Sequence, residues 1–322
     1  MTTHRPAGPT RLASDLPQLQ GAPLLTDGGI ETTLIYHDGI DLPHFAAFPL
    51  LETAGGRAAL VRYYEAYLDV ARRHGVGIVL ESATWRASPD WGRELGYGAA
   101  DLERLNRAAI ELLQELRDAH ADAVSPIVLS GCIGPQGDGY SREAHLGADE
   151  AHAYHAVQVR TFAASAAQMV TAMTIAYVEE AIGVTRAARE AGIPVAISFT
   201  VETDGRLPSG QPLAEAIAQV DADAGGPDYF MLNCAHPTHF EHVLEAGAPW
   251  VERIRGLRAN ASRRSHEELD TAEELDEGDP AELAGAHGRL RDRLPALRVL
   301  GGCCGTDHRH VDAIAAAWYA AG

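Results

Sequence analysis

Eight short apolar runs alternate with eight amphipathic stretches along this chain, and few folds accept that pattern. The runs fall at residues 24–29, 77–84, 127–134, 169–175, 194–201, 229–235, 251–259 and 298–304. Each is rich in Val, Ile, Leu or Ala, as strands covered on both faces must be. The seventh, which carries Arg253, Arg255 and Arg258, fits worst. The spacing predicts helices at 57–74, 101–123, 148–168, 178–191, 212–224, 239–246, 280–294 and 308–320. The first places Leu60, Val61, Tyr64, Leu68 and Ala71 near helical spacing and meets Gly75, a residue suited to ending it. Asp101 and Asp149 stand where N-caps are wanted, and Gly192 and Gly247 where helices should stop. Eight such repeats predict the α/β class and a closed (β/α)8 TIM barrel. An open doubly wound sheet is the rival, but Asp27-Gly28-Gly29-Ile30-Glu31 after the first strand is not the glycine-rich phosphate loop it would carry. The 322 residues then make one domain, since such barrels routinely run about 250 residues or more.

Two segments stand outside the repeat. Residues 1–20 read as an N-terminal arm, with the barrel over 21–322. Residues 262–278 form an acidic insertion after strand seven. A charge run is usually a solvated loop or short helix, but this one falls on the catalytic side of a barrel, where a lid or substrate role is the alternative. Acidity pervades the chain, with 26 Lys and Arg against 45 Asp and Glu, a formal charge of −19. Such a surface repels phosphate backbones and anionic lipid, which argues against nucleic acid and membrane as partners. No run nears the roughly 18 apolar residues of a spanning helix, and residues 1–20 lack a signal-peptide pattern. The expected location is the cytoplasm, where cysteines read as metal or catalytic thiols. The oligomeric state stays open.

The chemistry should sit at the C-terminal ends of the strands. Strand six ends in Asn233-Cys234-Ala235-His236-Pro237, and strand eight in Gly301-Gly302-Cys303-Cys304-Gly305-Thr306. Three of the four cysteines thus fall on one barrel face, among glycines that let the backbone turn and approach a ligand. Zinc is the natural occupant, since a catalytic zinc keeps three protein ligands and one open position. Cys234, Cys303 and Cys304 supply three. The alternatives are a vicinal Cys303–Cys304 disulfide, thiols that merely pack, and a structural zinc closed by His236. His308 and His310 belong to a helix start. Cys132, alone on strand three, reads as packing. An all-sulfur site is a poor activator of water but suits a thiol as fourth ligand, because coordination deprotonates that thiol at neutral pH. The donor set therefore points to alkyl transfer onto a bound thiol.

These motifs resemble the homocysteine S-methyltransferase family. The matching pieces are Asp27-Gly28-Gly29, Gly134-Pro135, Asn233-Cys234 and Gly301-Gly302-Cys303-Cys304-Gly305-Thr306, spread over residues 24–306. The resemblance implies a Zn2+-centred barrel whose cofactor is held by Cys234, Cys303 and Cys304. Its partners would be homocysteine as thiol acceptor and a small methyl donor, and its product methionine. It further implies that Asp27 holds the acceptor's ammonium group, that the amides of Gly28 and Gly29 reach its carboxylate, and that Asn233 belongs to the substrate site. One departure stands out. Family members commonly carry a Glu-Thr pair on strand four, where this chain reads Met173-Thr174. A lost charge-assisted hydrogen bond, worth roughly 1.5–3 kcal/mol, would weaken homocysteine about tenfold or more unless Glu31, Glu81 or Glu202 compensates. The alternative is a different thiol or a selenol as acceptor.

The end of strand two, Glu81-Ser82-Ala83-Thr84-Trp85-Arg86, bears on the donor. An onium cation is drawn to aromatic faces, which makes Glu81 and Trp85 a candidate donor pocket, with Trp91, Tyr97 and Tyr140 nearby. Arg86 would disfavour a cation or grip a donor carboxylate. The 322 residues leave no room for an appended folate or cobalamin domain, so S-methylmethionine or S-adenosylmethionine is the expected donor.

Overall fold

The structure, a computed structural model, is described over residues 13–139, 146–223, 225–272 and 274–319. Eight parallel strands close into a barrel in chain order, β1 pairing with both β2 and β8. They are β1 (Leu24–Leu25), β2 (Gly77–Glu81), β3 (Ile127–Ile133), β4 (Met169–Ile175), β5 (Val195–Phe199), β6 (Tyr229–Asn233), β7 (Ile254–Ala259) and β8 (Val299–Gly302). The helices are α1 (Ala54–His74), α2 (Pro89–Glu94), α3 (Ala99–His120), α4 (Ala148–Ala163), α5 (Val178–Ala191), α6 (Leu213–Ala222), α7 (Pro237–Phe240), α8 (His266–Asp270), α9 (Pro280–Leu290) and α10 (His308–Tyr319).

Two apolar layers hold this together. Leu80, Leu129, Ile175, Ile197 and Leu257 face outward onto the helices, while Leu24, Val79, Val128, Met169, Tyr229 and Val299 fill the barrel interior. Residues from the predicted arm close the interior from below. Leu16 and Gln18 are fully buried, and the Gln18 amide reaches Met169 Sδ and Tyr229 Oη, each at 3.3 Å.

Differences from the sequence reading have local causes. β1 stops at Leu25 because its chain turns through Asp27-Gly28-Gly29 into a π-helical turn at Thr32–His37. The helix expected at 239–246 is only the four-residue α7 followed by a 3-10 turn at Glu241–Val243. Asp101 is not an N-cap. It is the third residue of α3, and its carboxylate accepts from the Gly98 amide at 3.2 Å. Glu150 does the same for Gly147 at 2.9 Å, while Asp149 pairs with Arg186 at 2.8 Å. Gly75 and Gly192 do end α1 and α5, with φ of 64° and 68°. Tyr140 lies outside the described residues.

Candidate active site

The strand ends of one barrel face open into a cavity of about 540 Å³. Its floor carries the cysteines. Asn233 and Cys234 leave β6, and Cys303 and Cys304 leave β8, so that the three sulfurs lie within 4.8 Å of one another. Cys234 is paired with Cys303 as a disulfide, their Cα atoms 5.4 Å apart, and Cys304 Sγ lies 4.0 Å from Cys234 Sγ. The bridge considered from sequence, between Cys303 and Cys304, is not the one formed.

The backbone here is held in an unfavourable shape. Cys234 and Thr174 have φ of 54° and 62°, a region L-residues rarely enter. Asn233 maintains it. Its Oδ1 accepts from the Thr174 amide at 2.9 Å and from Ser198 Oγ at 2.6 Å, and its Nδ2 donates to Thr174 Oγ1 at 2.9 Å. The Asn233 side chain therefore ties the end of β6 to β4 and β5 beside Cys234, while its Nδ2 also lies 3.9 Å from Cys303 Sγ at the cavity floor.

Asp27 lines the cavity but is already paired. Arg258, from the end of β7, meets Asp27 Oδ1 at 2.8 Å, and Tyr63 Oη donates to Oδ2 at 2.7 Å. Arg258 also donates to the carbonyls of Gly302 and Gly28, at 2.9 and 2.8 Å. Both ionic groups are more than nine-tenths buried. Sequence reading missed Arg258. Its one signal was an arginine at the C-terminal end of a barrel strand, where charge in an otherwise apolar run marks a site.

The glycines of the first loop are needed for packing. A Cβ on Gly28 would stand 2.6 Å from Tyr67 Oη, and one on Gly29 would stand 2.7 Å from the Cys303 carbonyl oxygen. The Gly29 amide donates to the Thr306 carbonyl at 3.0 Å, so it joins the first and last loops. At Gly29 this differs from the expectation drawn from the resemblance, while both glycines line the cavity.

Four further predicted residues line the cavity: Glu31, Glu81, Met173 and Trp85. One face of Trp85 is taken by a cation of the chain itself. The Arg86 guanidinium lies 4.0 Å from its ring centre and 3.9 Å from that of Trp91, sandwiched between them. Trp91 comes from α2, a helix the sequence reading did not find. Tyr97 instead packs on Phe48 and donates to Glu52 at 2.8 Å. Glu202 sits in a turn away from the cavity, its amide bonded to the Arg206 carbonyl. His236 bonds Thr238 and stands outside the sulfur cluster, with burial pushing its pKa down to about 4. Cys132 is a buried part of the wall, and burial pushes its thiol well up.

The acidic insertion forms part of the wall. His266, Leu269, Ala272, Glu274, Leu275 and Asp276 face the cavity. Ser265 caps α8, Ser262 Oγ donates to Asp276 at 2.7 Å, and Glu277 is held by His37, Arg309 and, through its carbonyl, His310. The segment is tied down at both ends along the cavity wall.

Glu81 is the most telling wall residue. Its Oε1 accepts from Thr171 Oγ1 at 2.8 Å, and its Oε2 is buried without a partner. Burial pushes its carboxyl up to about 7 against the opposing pull of Arg258, and Glu31 is raised to about 7 as well. Between pH 4.5 and 7 the folded chain keeps a proton on Glu81 that the unfolded chain has released, so stability falls as pH rises through that window. Glu81→Gln is expected to unfold at a higher temperature than wild type at pH 8, by a margin worth at most about 3 kcal/mol, and to lose that margin near pH 4.5. Thermal denaturation across pH checks this.

The homocysteine S-methyltransferase family model matches residues 24–318. Among solved structures, the metallated form of the homocysteine methyltransferase MmuM from Escherichia coli is 20% identical. The match covers 93% of this chain and 98% of that one, with a TM-score of 0.70. The oxidized form of the same protein gives 20% identity, 92% and 97% coverage and a TM-score of 0.71. No curated protein sequence matches the chain.

Proposed function

The chain belongs to the homocysteine S-methyltransferase family, and from that premise we propose that it methylates the thiol of homocysteine at a zinc ion held by Cys234, Cys303 and Cys304. The observation that carries this reading is the convergence of three sulfurs from two strand ends on the floor of a cavity. The donor set fits the ion, since three thiols within 4.8 Å of one another leave a fourth position toward the cavity, and His236 is turned elsewhere. Binding requires the Cys234–Cys303 pair in its reduced state, which suits a cytoplasmic location.

When bound, zinc supplies acidity to the acceptor thiol, which is then a thiolate at neutral pH. The remaining work falls to the chain. Asn233 and the strained turn at Cys234 aim the sulfurs. The apolar wall, with Met173, Leu269 and Leu275, excludes water that would compete for the methyl group. Arg258 keeps Asp27 charge-compensated, so the floor does not accumulate unpaired negative charge. The acceptor sulfur forms a bond to the donor's methyl carbon as the donor's C–S bond breaks, and the donor leaves as a neutral sulfide. Binding both substrates side by side in one cavity supplies the remaining rate enhancement.

A small onium compound, S-methylmethionine or S-adenosylmethionine, is the donor this cavity favours. Asp138, Glu274 and Asp276 on the outer wall make it electronegative. The test is mass spectrometry of reduced, zinc-loaded protein given isotopically labelled homocysteine and S-methylmethionine. Labelled methionine is the expected product. With S-adenosylmethionine and betaine also tried, no labelled methionine from protein holding one zinc per chain would overturn the acceptor assignment.

A further inference from the structure

We propose that Glu81 receives the ammonium group of the acceptor, supplying the carboxylate that β4 lacks at Met173. The inference rests on the reading of homocysteine as acceptor and deepens it. Four facts place the role there. Asp27 is heavily engaged, with Oδ1 on Arg258 and Thr26 Oγ1 and Oδ2 on Tyr63. A second cation there would meet a carboxylate whose charge is already matched and which keeps one open acceptor position, on Oδ2. Glu81, by contrast, is only 4% exposed, lines the cavity, and has Oε2 without a partner. Buried polar atoms left open are rare in folded proteins, and one on a cavity wall marks where a ligand bonds.

Its other oxygen is fixed. Thr171 Oγ1 donates to Oε1 at 2.8 Å and lies 2.8 Å from Ser130 Oγ, so β3 and β4 together set the carboxylate's direction. The position is also in reach. β2 is separated from β8 by β1 alone, and neighbouring strands lie about 4.8 Å apart. An amine three carbons from a sulfur on the cysteine floor faces a long glutamate side chain from that side of the mouth. Met173, two residues beyond Thr171 on the same face of β4, gives the acceptor's methylenes an apolar surface and competes for no charge.

The test is calorimetric binding to reduced, zinc-loaded protein without donor, using homocysteine and 4-mercaptobutyrate, which keeps thiol and carboxylate but lacks the amine. Glu81→Gln should weaken homocysteine by roughly ten- to hundredfold, the worth of one charge-assisted hydrogen bond, and leave 4-mercaptobutyrate within about twofold. Adding Met173→Glu, which returns a carboxylate to the same interior face, should recover part of the homocysteine affinity and none for 4-mercaptobutyrate. Equal loss for both thiols, no loss for either, or the amine-selective loss appearing in Glu31→Gln instead would overturn the assignment. Failure of the wild-type protein to bind either thiol would overturn the acceptor reading itself and this inference with it. Tight wild-type binding with an indifferent Glu81→Gln would overturn the inference alone.

Discussion

Cys303→Ala is expected to bind zinc more than about a hundredfold more weakly than wild type and to form methionine at under about 1% of its rate. Loss of an outer-shell partner alone typically costs ten- to a hundredfold in metal affinity, and Cys303 is a direct ligand in this account. Its sulfur lies 3.9 Å from Asn233 Nδ2 and is the one joined to Cys234. Its removal leaves two sulfurs from different strand ends and no third anchor. The fold should survive, because Cys303 lies at the cavity surface rather than in the packed layers. Metal analysis after dialysis, alongside the labelled-methionine assay, reads both effects. Cys132→Ser, a wall thiol outside the sulfur cluster, should keep one zinc per chain.

The second large effect is on stability. Arg258→Met should destabilise the protein by about 3–5 kcal/mol, because it leaves the buried Asp27 carboxylate without its charge partner. It also removes the guanidinium that links the Gly28 and Gly302 carbonyls, in the first and last loops of the barrel. Removing one member of a buried pair costs far more than the pair itself contributes. Asp27→Asn in the same chain should therefore restore part of the loss, a coupling that a double-mutant cycle in denaturant measures. Simple additivity of the two substitutions would show that the pair is not coupled.

Most of the barrel was legible because its strands must be apolar on both faces, and runs such as 169–175 stand out against polar helix surfaces. β4 matches to the residue. Boundaries failed where the backbone turns for local reasons, as after Leu25, or where a proline starts a helix that a single turn ends, as at Pro237. The cysteine cluster was legible because chemistry restricts which residues can serve, and glycine-framed cysteines at two strand ends satisfy that restriction. Pairings between distant positions were not. Asp27 and Arg258 are far apart in sequence, and nothing local tells that the arginine turns inward. Its presence weakened the case for a strand when it was in fact the mark of a site. The Trp85–Arg86–Trp91 sandwich was hidden in the same way, since one of its rings comes from a short helix without a periodic signature. Met173 was read as a lost carboxylate. The structure shows a buried carboxylate, Glu81, at the end of β2.

The central claim is that the acceptor thiol joins three cysteine sulfurs at one zinc ion. Zinc X-ray absorption of the reduced, metal-loaded protein tests it without knowledge of the methyl donor. The account predicts three sulfurs and one lighter atom around the zinc in the protein alone, and four sulfurs once homocysteine is added. A coordination shell that does not change on adding homocysteine would contradict it.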